Sequence, residues 1–90
     1  MQFEWDSAKA AANAAKHNLT FEEAATAFGD PLSITIPDPD HSHTEDRFVL
    51  LGETLSGTLV VVVYAEREDN VRIISARRAT PQERRNYEDG

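Results

Sequence analysis

Leu59-Val60-Val61-Val62-Val63-Tyr64-Ala65-Glu66 is the stretch that decides the fold. It is β-branched and apolar on both faces, so it reads as a strand lying centrally in a sheet. Its apolar run, Leu59 to Ala65, is seven residues, far below the roughly 20 that a membrane helix needs. Downstream, Glu68-Asp69-Asn70 reads as a hairpin turn and Val71 to Arg78 as the next strand. Upstream, the turn around Ser56-Gly57 is preceded by a strand over Arg47 to Glu53. Before that, Leu32 to Ile36 alternates Leu, Ser, Ile, Thr, Ile and reads as another strand. Pro37-Asp38-Pro39-Asp40 breaks it, and the polar stretch to Asp46 is a loop. Strands joined by short turns imply antiparallel pairing.

Helical signals flank this block. Asp6 is a good N-cap for Ser7 to His17, which holds six alanines. Asn18 suits the left-handed position after the helix, and Leu19 can fold back onto it. Thr20 opens a second helix with Glu23 completing a capping box; Phe21, Ala24, Ala25 and Phe28 form its apolar stripe, and Gly29-Asp30-Pro31 stops it. Thr80-Pro81-Gln82-Glu83 starts a short third helix running to about Glu88. Phe3 to Trp5 fits a short edge strand. The order predicts an α+β fold: two N-terminal helices, an antiparallel sheet of about four strands and a short C-terminal helix, with the helices on one face.

The chain has 90 residues, enough for one domain with one core. Cysteine is absent, which excludes disulfides, thiolate catalysis and cysteine zinc sites. The acidic start lacks the pattern of a secretory signal, so a cytoplasmic protein without a membrane partner is expected. Net charge is −7, unevenly placed: residues 1–46 carry −7, residues 47–70 carry −2, and residues 71–90 carry +2. Such a chain does not bind polyanions indiscriminately, but a local arginine cluster can grip a phosphate.

Four constellations could carry chemistry. Lys9, Asn13 and Lys16 share a helix face, and His17 is a neighbour of Asn13; a neutral His beside a cation can accept a proton or contact phosphate, or can simply bond the following turn. Tyr64 and Glu66 point together on one strand. Alternation places Arg72, Ile74, Ala76 and Arg78 on one face of the next strand and Val71, Ile73, Ser75 and Arg77 on the other, without saying which face meets a cleft. Arg84 and Tyr87 share a face of the last helix and could hold a phosphate and a base, or dock the helix. His41-Ser42-His43, among Asp38, Asp40, Glu45 and Asp46, offers imidazoles and carboxylates, but no second ligand cluster fixes it and no metal site is expected. No glycine-rich phosphate loop or hydrolase triad is present, and no cofactor is expected.

Trp5-Asp6-x-x-Lys9-x-x-x-Asn13-x-x-Lys16-His17-Asn18 followed by Phe21-Glu22-Glu23-Ala24 resembles the opening of BrnT-type toxins. The second half agrees: Val60 to Val63, then Arg72-Ile73-Ile74-Ser75-Ala76-Arg77-Arg78-Ala79-Thr80, then Glu83-Arg84-Arg85-x-Tyr87. The resemblance spans nearly the whole chain. It implies a single RelE-like domain over residues 1–90 acting as the toxin of a type II toxin–antitoxin system. It further implies an endoribonuclease that stops translation without a metal, neutralised by a BrnA-like antitoxin that contacts promoter DNA on behalf of the pair. Cleavage would proceed by attack of a ribose 2′-hydroxyl on the adjacent phosphorus, which restricts the substrate to RNA. On this reading Arg77 and Arg72 are the transition-state cations, Glu66 or His17 is the base, and Lys16, Arg78, Arg84, Tyr87 and Tyr64 bind the substrate; all are expected to converge on one spot. Where the family turn is Lys-His-Gly, Asn18 stands here, and Asn tolerates the same backbone conformation.

Two other readings stay open on the sequence. One is a catalytically inactive toxin-like subunit that binds a DNA-binding antitoxin and modulates promoter repression. The other is a small phosphate-binding module.

Overall fold

A computed structural model of the chain describes residues 2–39 and 46–90. Its elements are β1 (Gln2–Glu4), α1 (Ser7–His17), α2 (Phe21–Ala25) continued by a 3₁₀ turn (Thr26–Gly29), β2 (Ile34–Pro37), β3 (Arg47–Glu53), β4 (Leu59–Arg67), β5 (Asn70–Arg78) and α3 (Pro81–Asp89). The caps form as their side-chain chemistry dictates. Asp6 accepts from the Lys9 amide, Thr20 from the Glu23 amide, and Thr80 and Glu83 close a reciprocal capping box; the box expected at Thr20 stays half-formed, because the Glu23 carboxylate accepts instead from the Ser56 hydroxyl. Asn18 ends α1 in the left-handed region at φ 52°, a conformation Asn tolerates.

The fold is α+β, but three expectations are corrected. The sheet has five strands in the order β1-β5-β4-β3-β2, not about four. It is mixed rather than antiparallel, because Phe3 and its neighbours pair parallel to β5; the long excursion through α1 to β4 returns the chain beside its own start in the same direction. And the helices do not share one face. Leu19, Phe21, Ala24 and Ala27 bury against Leu50, Val60, Val62, Tyr64, Ile73 and Ala76, whereas Glu83 and Asn86 of α3 lie over Val49, Leu51 and Val61 on the opposite side. No residue of α3 is buried. An apolar helix stripe must be covered, as α2's is; the polar α3 has no such requirement and rests on the second face through side-chain bonds.

β4 is central, as its doubly apolar sequence demands. Val60 and Val62 are fully buried on the α1/α2 side, and Val61 is buried on the other. Each such side chain stabilises the fold by about 1.5–3 kcal/mol relative to exposure. The β4–β5 ladder slips once. Val63 faces Ser75 but Tyr64 faces Ile73, so Ile74 is an extra residue on β5. A bulge of this kind inverts the alternation beyond it. Among the described residues, no helix is long and apolar enough to cross a membrane.

Candidate functional site

Past β1, the outer edge of β5 has no strand neighbour among the described residues, and α1 lies along it. Asn13 fills the place of a strand there. Its Nδ2 donates to the Ala76 carbonyl (2.9 Å) and the Leu19 carbonyl (3.1 Å), and its Oδ1 accepts from the Ala76 amide (3.1 Å). This clamp satisfies backbone groups that burial would otherwise leave costly. It also sets α1 at a fixed height on β5, so that Lys9, Asn13, Lys16 and His17 line one groove of about 240 Å³ with Ile74 and Ser75. The two lysines are exposed and His17 is half-buried.

Arg78 secures the far end of this groove. Its guanidinium donates to the carbonyls of His17 (2.7 Å) and Asn18 (3.4 Å), a cation at a helix C-terminus where the dipole favours it. Arg72 lies in a separate groove. The Asp6 carboxylate, held below the ordinary range chiefly by the Lys9 amide, also feels both the Lys9 and the Arg72 charges. Arg72 sits 3.9 Å from Glu4 and lines a wider groove of about 640 Å³ with Glu66, Arg67, Glu68 and Asn70 at the hairpin end. The bulge matters here. It puts Arg72 (opposite Ala65) on the same sheet face as Ser75 (opposite Val63) and Arg77 (opposite Val61), a placement that simple alternation assigns to opposite faces. It also leaves Arg47 on that face, across β4 from Arg72, a neighbour the sequence reading did not single out; only the β3–β4 register reveals it.

The remaining expected site residues are engaged elsewhere. Arg77 grips Glu83 with both guanidinium nitrogens, at 2.8 and 2.9 Å. This bond, with the Thr80 amide, pulls the Glu83 carboxyl from an ordinary 4.5 to about 2, and holds the Arg77 guanidinium charged more firmly still. Tyr87 donates to Asp30 at 2.6 Å, which raises the phenol to about 12 and lowers the Asp30 carboxyl. Asp30 also accepts from the Leu32 and Glu53 amides, so α3 is tied to the ends of β2 and β3. Arg84 is exposed on α3, away from the α1 groove. Tyr64 is buried, its ring between Phe28 (4.9 Å) and Phe48 (5.5 Å), and burial pushes its phenol up. The structure thus brings together Lys16 and His17, with Lys9 and with Arg78 bonded to the backbone at the groove's far end, and separately Glu66 with Arg72; it does not bring Arg77, Arg84, Tyr87 and Tyr64 to that spot. His41 and His43, with Asp40 and Glu45, lie outside the described residues. Among the described residues, no group of three His, Asp or Glu side chains is placed to hold a metal ion.

The Arg77–Glu83 pair has a pH signature. The folded pKa of Glu83 is depressed, so its contribution is complete above about pH 5 and is lost as pH falls toward 2. The guanidinium side chain is 43% exposed, so solvent screening limits the pair to about 1 kcal/mol. Urea titrations of Glu83→Gln and the parent should differ by that amount at pH 7 and converge only as pH falls below about 2. A gap that stays constant with pH would mean that the ion pair contributes no stability.

Comparison with curated proteins gives no match. Among solved structures, the chain is similar to the 1.1 Å crystal structure of the Brucella abortus ribonuclease toxin BrnT. The TM-score is 0.70 and the identity 24%, over 89% of this chain and 97% of that one; at this identity the likeness is one of fold. The sequence carries the stronger finding. The model of the family described as the ribonuclease toxin BrnT of type II toxin–antitoxin systems matches residues 5–83, from Trp5 to the Glu83 that Arg77 holds. With the match covering all but the first four residues and those after Glu83, which include most of α3, the chain belongs to the BrnT family of ribonuclease toxins.

Proposed function

We propose that the chain is an endoribonuclease toxin that cleaves single-stranded RNA in the groove between α1 and β5 and so inhibits translation. The observation that carries this reading is the convergence of Lys9, Lys16 and His17 on that groove in a chain otherwise dominated by acids. The two ammonium groups attract the phosphodiester and take up the charge that grows on its oxygens. His17 accepts the proton of the 2′-hydroxyl as that oxygen attacks the adjacent phosphorus. The bond to the 5′-oxygen breaks, and the 5′-oxygen leaves with a proton from Lys16 or solvent. The products are a 2′,3′-cyclic phosphate and a 5′-hydroxyl, with no metal required. Arg72 extends the cationic track along the strand edge for the neighbouring phosphate. Glu66, beside Arg72 in the hairpin groove, is the second candidate base. Arg77 can meet a phosphate only when Glu83 gives it up. Arg78 acts as a positioning residue, because its bonds end on the backbone that carries His17.

A second reading has its own support. Arg77, Arg78 and Tyr87 are all spent on intramolecular bonds, as suits a toxin-like subunit that only binds its antitoxin. Incubating the purified chain with total RNA in excess EDTA separates the two. The enzyme yields fragments ending in cyclic phosphate, undiminished by the chelator. Intact RNA at stoichiometric protein, in the absence and presence of ribosomes, would leave the binding subunit as the function. Fragments that vanish with EDTA would keep the nuclease and remove the metal-free mechanism. As a member of its family the chain has an antitoxin as partner; we take that partner to be BrnA-like and to make the promoter contacts, since the acidic body of this chain repels DNA.

A further inference from the structure

The strand register gathers arginines on the α3 side of the sheet. Arg47 of β3, Arg67 of β4, and Arg72 and Arg77 of β5 share that face, where the described strands add Glu4 and Glu53 as charges of opposite sign. Four of the seven arginines of an acidic chain thus lie on one sheet face. Such a face attracts a polyanion that the rest of the chain repels.

Between these charges the face is aliphatic. Ile34, Ile36, Val49, Leu51 and Val61 form the floor of a groove of about 270 Å³, and Glu83 and Asn86 of α3 form its wall. The register connects it with the groove along α1. Ser75 lies opposite Val63, Val63 opposite Val49, and Val49 opposite Ile36, so one cross-strand row runs from beside Lys16 and His17 to this floor. Val49 stands two strands from Ser75, roughly 10 Å away. A flat aliphatic floor with a polar wall suits a nucleobase, whose ring faces are apolar and whose donors and acceptors lie along its edge. The wall offers both kinds of group. Arg77 bonds both carboxylate oxygens of Glu83 and the Thr80 amide bonds Oε1 again, which leaves Oε2 able to accept once more. Asn86 receives the Gln82 side-chain amide on its oxygen, so its own nitrogen is left to donate.

We infer that this groove is a base subsite: it seats the nucleobase of a nucleotide adjoining the one cleaved, ring face on the aliphatic floor and edge toward Glu83 and Asn86. The inference rests on the proposed function, which puts the scissile phosphate beside Lys16 and His17. It makes Ile36 and Asn86 specificity-determining residues, remote from the bond that breaks. Self-association through this face would bring together two chains of net charge −7, and an apolar protein segment would leave the acceptor and donor of the wall unused.

Fluorescence anisotropy with a short 2′-O-methyl RNA, which lacks the attacking hydroxyl, tests this when the base is removed from one position at a time. At one position, loss of the base should weaken binding to the parent at least tenfold. Ile36→Ser and Asn86→Ala should bind the intact strand at least threefold more weakly than the parent, and should bind it within twofold of the strand abasic at that position. Both side chains are exposed and neither substitution changes charge, so phosphate attraction persists and melting should follow the parent; should Ile36→Ser misfold, Asn86→Ala decides. Leu55→Ser, at a side chain 89% exposed but off this face, should behave as the parent. Cleavage of the unmodified RNA with no position sensitive to base loss, or with that sensitivity kept in both variants, would overturn the subsite and leave the nuclease reading intact. Base-sensitive binding that the variants abolish, without cleavage of the unmodified RNA, would overturn the nuclease reading while supporting the subsite. No binding at all would overturn both. An Ile36→Ser chain that loses a dimer or its antitoxin but binds RNA as the parent does would assign the groove to a protein and equally overturn the inference.

Discussion

Asn13→Asp should destabilise the chain by about 3–5 kcal/mol. The parent side chain is 8% exposed and uses both ends: its amide nitrogen serves two carbonyls and its oxygen one amide. A carboxylate has the same shape but can only accept. One of its oxygens would face the carbonyls of Leu19 and Ala76 where water cannot intervene, and the exposed Lys9 and Lys16 of the same groove offset only part of that repulsion. Burying an uncompensated charge costs about 3–5 kcal/mol, a large share of the roughly 5–13 kcal/mol expected for a domain of this length. Asn13→Ala leaves three backbone groups without partners and should cost about 3 kcal/mol, short of unfolding. Urea denaturation followed by circular dichroism reads both. If Asn13→Asp lost less than 1 kcal/mol, α1 would be held to β5 by something other than this clamp, and the placement of Lys16 and His17 would need another cause.

The second large effect is on chemistry. His17→Ala should lower RNA cleavage by about 10²–10⁴, the usual contribution of a general base. Lys16→Ala should lower it by about 10²–10³, as expected for a lost donor to the developing phosphorane charge. Neither side chain makes a described hydrogen bond, so melting should stay within a few degrees of the parent. Arg84→Ala, on α3 and away from the groove, should change the rate less than tenfold. Arg77→Ala is a poorer probe of catalysis than the sequence suggests, because it also frees Glu83 and loosens α3; a loss of activity there counts only if the melting curve is unmoved. Full activity in His17→Ala would move the base to the hairpin groove, where Glu66→Gln is then the deciding substitution.

Local chemistry made much of this molecule legible. The Asp6, Thr20 and Thr80 caps, the left-handed Asn18 and the central β4 follow from side-chain bonding and patterning within a few residues. The family motif was legible for the same reason, since its residues cluster in two short segments. Three features were not. Phe3 pairs with Val71, a contact between the two ends of the chain that no local rule encodes, and it turned an antiparallel sheet into a mixed one. α3 is polar all round, so its pattern did not say which sheet face it rests on. Asn13 read as part of a polar helix face, and only its place on the open edge of β5 shows it to be a clamp.

The sequence by itself determined the elements, their caps, the acidic character and the family, because each depends on near neighbours or on residues read one by one. Tertiary structure decided where the charges go. One extra residue, Ile74, inverts the alternation of β5 and moves Arg72 to the face of Arg77. A carboxylate six positions away then claims Arg77 for α3. The same packing leaves Lys9, Lys16 and His17 to line the groove along β5. Strand register and ion-pair partners are settled by which surfaces pack together, and that is not written in any single segment.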